Sequence, residues 1–436
     1  VPYAPTGRAA VAAGEPVAAL DALVPVAEAF VAAQRAAGRR TCFFATEGRL
    51  ASSPQLARRL VGEQPAWDPR RWDMHVRAHR SLREQLRRAR AKRVIVHRIT
   101  PAHLARAPWR AAVDALLARW RATRSMAAMH FHVHVDLTDG DAQGLLHRRC
   151  YVAVQDAELV GLLALAPVPA RDGWLFEHLL RDPDAPNGTA ELLVDHAMRD
   201  LSAAQVPWAT LGLAPLHGPI DRSLARVRRL ARPLFNFTGL SAFKRKLDPD
   251  GWEPIYLAWP REQSGWLALV DGLRAFAGGS LGRFGVATLL RGPRPILQAL
   301  VVLLVPWTLL LALLPTAPWF PSRTVQLAWV GFDLALLLAL VRLLTLAARH
   351  GAAARRATAR WATGVAVAVS LDALCTAGEA IGWRSSWQAG VGGRVGTIVA
   401  CLGPLVAAAV LWGAARRARR LAGARPRVPA EHGGDG

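Results

Sequence analysis

The chain has 436 residues, 52% of them hydrophobic, with 55 Lys and Arg against 32 Asp and Glu and a formal net charge of +23. This length fits two or three domains rather than one. High hydrophobicity and a large net charge usually pull apart, and the sequence segregates them along the chain. Residues 297–436 hold 14 of the basic and 5 of the acidic residues, which leaves 41 against 27 in residues 1–296. The N-terminal two-thirds is therefore a basic, soluble region, with RNA and anionic lipid head groups as expected partners. Cys42, Cys150, Cys375 and Cys401 show neither a CxxC pair nor metal-ligand spacing, which points to a reduced, cytosolic region without a metal. No basic-then-apolar leader pattern precedes it, so secretion of this part is not expected.

In chain order, "VPVAEAFVAAQRAAGRRTCFFATEG" reads as a helix with apolar residues at helical spacing, then a strand. In "HRSLREQLRRARAKRVIVHRI", Arg80, Arg83 and Arg87 fall on one helix face before the strand "VIVHRI". That row is either a solvated face or a phosphate-binding one, since a guanidinium fork matches phosphate oxygens. A second half opens with the helix "AAVDALLARWRATR", followed by two strands, "CYVAVQ" and "LVGLLALAPVP", joined by a turn at Gln155–Glu158. The strand "GWLFEHLL" runs into "RDPDAPNG", where proline and Asn-Gly break regular structure, and then into a helix over 189–204. "WATLGLAPL" is a further strand, and "FNFTGLSAFKRKLDPDGWEPIYLAW" closes the region.

This order is that of an acetyltransferase-like α/β fold, in which the strand-to-helix junction receives an acyl donor at the helix N-terminus. At this junction Asn187 or Thr189 is expected to cap the helix, Gly188 to let the backbone approach a ligand, and Arg181 to enter from the strand end. The glycine-rich pyrophosphate loop that coenzyme A needs is absent, because "DPDAPNGT" holds a single glycine.

Four apolar spans follow, at 296–315, 325–348, 361–383 and 395–415, each near the roughly 20 residues that a membrane-crossing helix needs. Arg291 and Arg294, then Arg349, Arg355, Arg356 and Arg360, then Arg416, Arg417, Arg419 and Arg420 flank them in alternation. The positive-inside rule then places both termini in the cytoplasm. Asp333, Asp372 and Glu379 fall at membrane depth, where ionisable groups mark a functional question. The expected division is two acetyltransferase-like domains at 1–125 and 126–260, a juxtamembrane linker at 261–295, a four-helix transmembrane region at 296–415 and a basic cytoplasmic tail at 416–436.

"LVGEQPAWD", "HRSLREQLRRARAKRVIVHRI", "HLLRDPDAPNGTAELL", "LGLAPL" and "FNFTGLSAFKRKLDPDGWEPIYLAW" occur in one order over roughly residues 20–260. Together they resemble the cytosolic catalytic region of aminoacyl-phosphatidylglycerol synthases, the MprF-type phosphatidylglycerol lysyltransferases. The resemblance implies tandem acetyltransferase-like (GNAT) domains, aminoacyl-tRNA as donor with no further cofactor, and phosphatidylglycerol as acceptor at the bacterial inner membrane. The family's Asp-Leu-Met-Arg strand end matches His178, Leu179, Leu180 and Arg181, so histidine replaces the aspartate, with Glu177 beside it. The acid inside the next helix matches Glu191, and a Phe-Lys-x-Lys segment matches Phe243, Lys244, Arg245 and Lys246. Where relatives carry lysine and glutamate on the first helix of the second half, Arg119 and Arg121 stand here. The family's N-terminal flippase has no counterpart in these residues.

Transfer to a lipid hydroxyl needs a proton acceptor, oxyanion donors and exclusion of water. Glu177 and His178 are the candidate bases, only one of which strict strand alternation would admit to the site. Arg181, Glu191, Asn187, Gly188, Thr189 and Gly212 are candidates for holding substrate, and Arg80, Arg83, Arg87, Lys244 and Lys246 for a polyanion surface. An acyl-coenzyme A-dependent N-acyltransferase and a non-catalytic membrane-anchored module on the same fold remain the alternatives.

Overall fold

The first half begins with strands β1 (Tyr3–Pro5) and β2 (Ala9–Ala13) and helix α1 (Leu23–Ala36), whose buried Leu23, Ala27 and Val31 recur at helical spacing. Strands β3 (Arg40–Thr46) and β4 (Leu56–Trp67), helices α2 (Trp72–Ala78) and α3 (Arg80–Ala91) and strand β5 (Ile95–Ile99) follow. The second half contains α4 (Ala107–Ala122), β6 (Arg149–Gln155), β7 (Glu158–Val168), β8 (Gly173–Arg181), α5 (Thr189–Ala203), β9 (Trp208–Thr210) and β10 (Ala214–Pro215). It ends with α6 (Arg222–Ala231), α7 (Phe237–Lys246), β11 (Gly251–Pro260) and α8 (Gly265–Phe276). This computed structural model describes residues 1–100, 102–103, 106–124, 126–127, 129–131, 147–231, 237–289, 294–349, 352–382, 390–423 and 428.

These strands form one sheet in the order β1-β2-β3-β11-β4-β9-β8-β7-β6-β5, with β10 paired to β4. Its two parallel pairs, β2 with β3 and β8 with β9, are each joined by a crossing helix, α1 and α5. The motif repeated in the two halves is thus strand, helix, strand. The halves also exchange strands. β11, from the end of the region, lies between β3 and β4, while β5, from the first half, pairs with β6. The expected division between residues 125 and 126 therefore does not coincide with a break in the sheet.

The continuous apolar run of β7 is explained by burial on both faces. Leu163 and Leu165 meet Leu82 and Leu86 of α3 and Leu193, Val194 and Leu201 of α5 in one core, while Leu162 and Ala164 meet Val113, Leu116 and Leu117 of α4 in another. Asp156 and Ala157, at φ 49° and 62°, make the two-residue turn between β6 and β7, as the sequence suggested. In the first half, Val11, Cys42 and Leu257 pack with α8, and Ala12, Phe43 and Ala258 with α1. Arg40 holds the buried Asp271 of α8 through two hydrogen bonds of 2.8 Å.

Residues 285–424 form a separate unit. It contains α9 (Arg294–Leu313), α10 (Arg323–Ala348), α11 (Ala352–Gly382) and α12 (Gly390–Ala422). Among the described residues, three helices, Arg323–Ala348, Ala353–Gly382 and Gly390–Ala422, are long and apolar enough to cross a membrane, and Leu297–Leu313 of α9 is a shorter apolar segment. The Gln326 amide donates to the carbonyls of Leu311 and Leu314, satisfying backbone groups at the end of α9. Leu340, Leu343, Ala366, Val369, Leu411 and Ala415 face inward, whereas Leu303, Leu338, Leu374 and Val391 are exposed as lipid-facing residues would be. Asp333, Asp372 and Glu379 line one cavity of about 500 Å³ with Trp307 and Trp329. Asp333 accepts from Thr308 and Glu379 from the Trp329 indole, so these acids do not rest on Arg342.

Candidate active site

β8 and β9 are paired only from Gly173 to Leu175 against Trp208 to Thr210. β8 runs on to Arg181 with β7 alone beside it, so the two parallel strands open into a wedge. The N-terminus of α5 lies at the end of β8, and residues 211–213, between β9 and β10, form the opposite side.

On the β8 side, strict alternation fails. Leu165 faces Phe176 in the register and Ala164 faces His178, so Glu177 is the extra residue of a β-bulge. The bulge brings His178 Nε2 to 3.8 Å from Glu177 Oε1, so the strict alternation expected of the strand does not hold here. Arg148 holds the Glu177 carboxylate with contacts of 2.7 and 3.2 Å, and His178 is buried.

The junction itself is an internally bonded loop. Arg181 Nη2 donates to the Ala185 carbonyl at 2.7 Å and to Asn187 Oδ1 at 3.2 Å, while its Nε is buried without a partner among the described residues. Asp182 is fully buried and accepts from Arg119 Nε at 2.6 Å and Nη2 at 3.2 Å; the same guanidinium reaches Asp184 at 3.3 Å. Arg119 thus pins the loop to α4. Neither Asn187 nor Thr189 caps α5. The N-cap is Gly188, without a side-chain cap, and the Thr189 hydroxyl donates to the Pro186 carbonyl instead.

Gly188 does permit a close approach, but to protein. A Cβ there would lie 2.0 Å from the Gln85 carbonyl oxygen of α3, and its φ of +93° already favours glycine. Gly188→Ala should therefore destabilise this unit by about 2–4 kcal/mol, combining a left-handed backbone penalty with displacement of α3. Urea unfolding would measure it, and a change below about 0.5 kcal/mol would show that α3 yields freely.

In the first turn of α5, Glu191 is buried and accepts from Lys246 Nζ at 2.7 Å. Lys244 is also buried. Its ammonium donates to the carbonyls of Leu211, Gly212 and Leu213 at 2.9, 2.7 and 2.9 Å. Burial pushes its pKa down to about 7, while the three acceptors match the three donors of the charged form. Lys244 accordingly holds the break between β9 and β10, which was expected as one strand, and is no part of an exposed basic surface. Gly212 contributes there through its carbonyl. The Arg80, Arg83 and Arg87 side chains are exposed on α3, opposite Leu82, Leu86 and Ala89. Arg87 pairs with Glu84, and Arg83 donates to the carbonyls of Val76 and Arg77.

The buried Arg119–Asp182 pair and the carbonyl cradle of Lys244 were not found from the sequence, because each joins residues far apart in the chain. For Arg119, a lone arginine on an apolar helix face was the available signal.

Repeated strand-helix-strand halves, and a parallel pair opening over a helix N-terminus, define a tandem acetyltransferase-like fold. Residues 1–259 match the phosphatidylglycerol lysyltransferase C-terminal family, and the chain belongs to that family of transferases. Two solved structures support the fold. The C-terminal domain of a proposed lysylphosphatidylglycerol synthetase from Agrobacterium fabrum is 24% identical, with a TM-score of 0.55 over 64% of this chain and 86% of that one. The L-PGS structure from Bacillus licheniformis is 19% identical, with a TM-score of 0.54 over 63% of this chain and 84% of that one. No curated protein matches the chain.

Proposed function

We propose that this protein transfers an aminoacyl group from a charged tRNA to phosphatidylglycerol at the cytoplasmic face of a bacterial inner membrane. One observation carries the reading: the family-motif residue Arg181, at the end of β8 where the wedge opens, keeps its Nε as a buried donor without a partner among the described residues. A carbonyl or phosphate oxygen of substrate satisfies that donor. His178, as the neutral imidazole positioned by Glu177, takes the proton of the lipid hydroxyl as its oxygen attacks the ester carbonyl. The ribose oxygen of the tRNA leaves and receives a proton, so the step balances. Glu191 shares one oxygen with Lys246, and its second oxygen is assigned to the amino group of the transferred residue. Arg80, Arg83 and Arg87 are assigned to the tRNA backbone.

An acyl-coenzyme A donor fits less well, since Gly188 is closed against Gln85 and the junction is filled by its own hydrogen bonds. Val428, in the C-terminal tail, is buried in the same core as α4, and its amide donates to the Ala157 carbonyl at 2.8 Å. This supports tail and catalytic region on one side of the membrane. An even number of crossings then joins them, with the shorter Leu297–Leu313 segment as the fourth.

The experiment is transfer of labelled amino acid from charged tRNA into the organic-solvent extract of membranes bearing the full chain. Labelled lipid that depends on phosphatidylglycerol, and falls when Arg80, Arg83 and Arg87 become Gln, is expected. No labelled lipid with any charged tRNA would reject the reading, and product formed from acyl-coenzyme A alone would replace it.

A further inference from the structure

His75, at the end of α2, and His79, which begins the turn into α3, are four residues apart and face the turn between α7 and β11. His79 Nε2 lies 3.0 Å and His75 Nδ1 3.6 Å from the same oxygen of Asp248. One ligand atom from each of the three residues can be chosen so that all lie within 4.8 Å of one another. Metal–ligand bonds of about 2.0–2.2 Å at tetrahedral angles put neighbouring ligand atoms about 3.3 Å apart, which the two spacings bracket.

The second nitrogens of the two rings carry the argument. A ligating histidine needs its other N–H engaged, so that the tautomer and ring plane are fixed. His79 Nδ1 lies 2.8 Å from the His75 carbonyl, an acceptor that leaves Nε2 as the lone-pair nitrogen. His75 Nε2 lies 3.1 Å from Asp250 Oδ1, a carboxylate that leaves Nδ1 facing Asp248. Asp250 is itself held by the Asp68 amide at 2.8 Å and by Arg71 at 3.1 Å. Both outer acceptors are thus set, and both lone pairs point at one carboxylate.

We propose that His75, His79 and Asp248 bind a divalent transition-metal ion, zinc or a close substitute, with solvent completing the coordination. Two nitrogen ligands and one carboxylate favour zinc over magnesium or calcium, which prefer all-oxygen shells. The ion clips the α2–α3 junction to the turn that immediately follows Lys244 and Lys246. It fixes the position of α7 and thereby of the lysine that pairs with Glu191. The site is structural: it makes no contact with the wedge and takes no part in transfer.

The test uses the full chain in detergent, stripped with EDTA and titrated with Co²⁺ alone, then with Zn²⁺ as competitor. One equivalent of Co²⁺ should bind with the visible absorption of a low-coordinate nitrogen–oxygen site, and Zn²⁺ should displace it and raise the unfolding temperature. His79→Gln should remove the one-equivalent step, and Asp250→Asn, which keeps all three ligands, should weaken it about 10- to 100-fold. Circular dichroism establishes that the variants are folded. Absence of a one-equivalent step in the parent chain, or its persistence in folded His79→Gln and His75→Gln, would overturn the proposal and leave these contacts as ordinary His–Asp pairs.

Discussion

Arg119→Met should destabilise the N-terminal unit by about 3–5 kcal/mol, the largest stability effect expected of any single substitution here. Asp182 is fully buried and Arg119 5% exposed, so removing the guanidinium leaves a carboxylate without its counter-ion in a medium that solvates it poorly. The Asp184 amide donates to the same carboxylate at 2.8 Å and cannot by itself replace a two-pronged charged partner. The loss should concentrate in residues 182–188, where hydrogen exchange should accelerate before the rest of the sheet opens. Arg119→Met combined with Asp182→Leu should recover much of the stability, since two apolar side chains need no counter-charge. Denaturant unfolding of both proteins decides the matter. A single variant within about 1 kcal/mol of the parent would show that water reaches Asp182.

That pair also shows where sequence reading stops. The apolar run of β7, the turn at Asp156 and Ala157, the "RDPDAPNG" junction and the long membrane helices were legible, because each depends on neighbours within a few residues. Arg119 and Asp182 are 63 positions apart, and although Arg119 falls on the apolar face of its helix, nothing local names its partner. The exchange of β5 and β11 between the halves was equally hidden. "GWEPIYLAW" reads as a strand from its residues, but its neighbours β3 and β4 lie about two hundred positions away. β1 has three residues and includes Pro5, and β2 carries only alanine and valine, too little pattern to separate from a loop. Lys244 was legible as a motif residue and misleading as a surface charge, because its burial depends on three carbonyls of a segment that bends at Gly212.

The bulge at Glu177 is the sharpest case, and it sets the second large effect. Strand periodicity assigns Glu177 and His178 to opposite faces; one extra residue in the register cancels that. With the two tips 3.8 Å apart and Glu177 anchored by Arg148, the proposed reading gives the carboxylate the task of orienting the imidazole. His178→Ala should therefore lower transfer about 10²- to 10⁴-fold, the range for loss of a general base. Glu177→Gln should cost less, about 10-fold, because it loosens the hold on the imidazole and leaves the proton acceptor in place. Initial rates from charged tRNA, with thermal melting as a control for folding, separate the two variants. Equal losses would reduce both residues to holding the bulge, and an undiminished rate in His178→Ala would place the proton acceptor elsewhere.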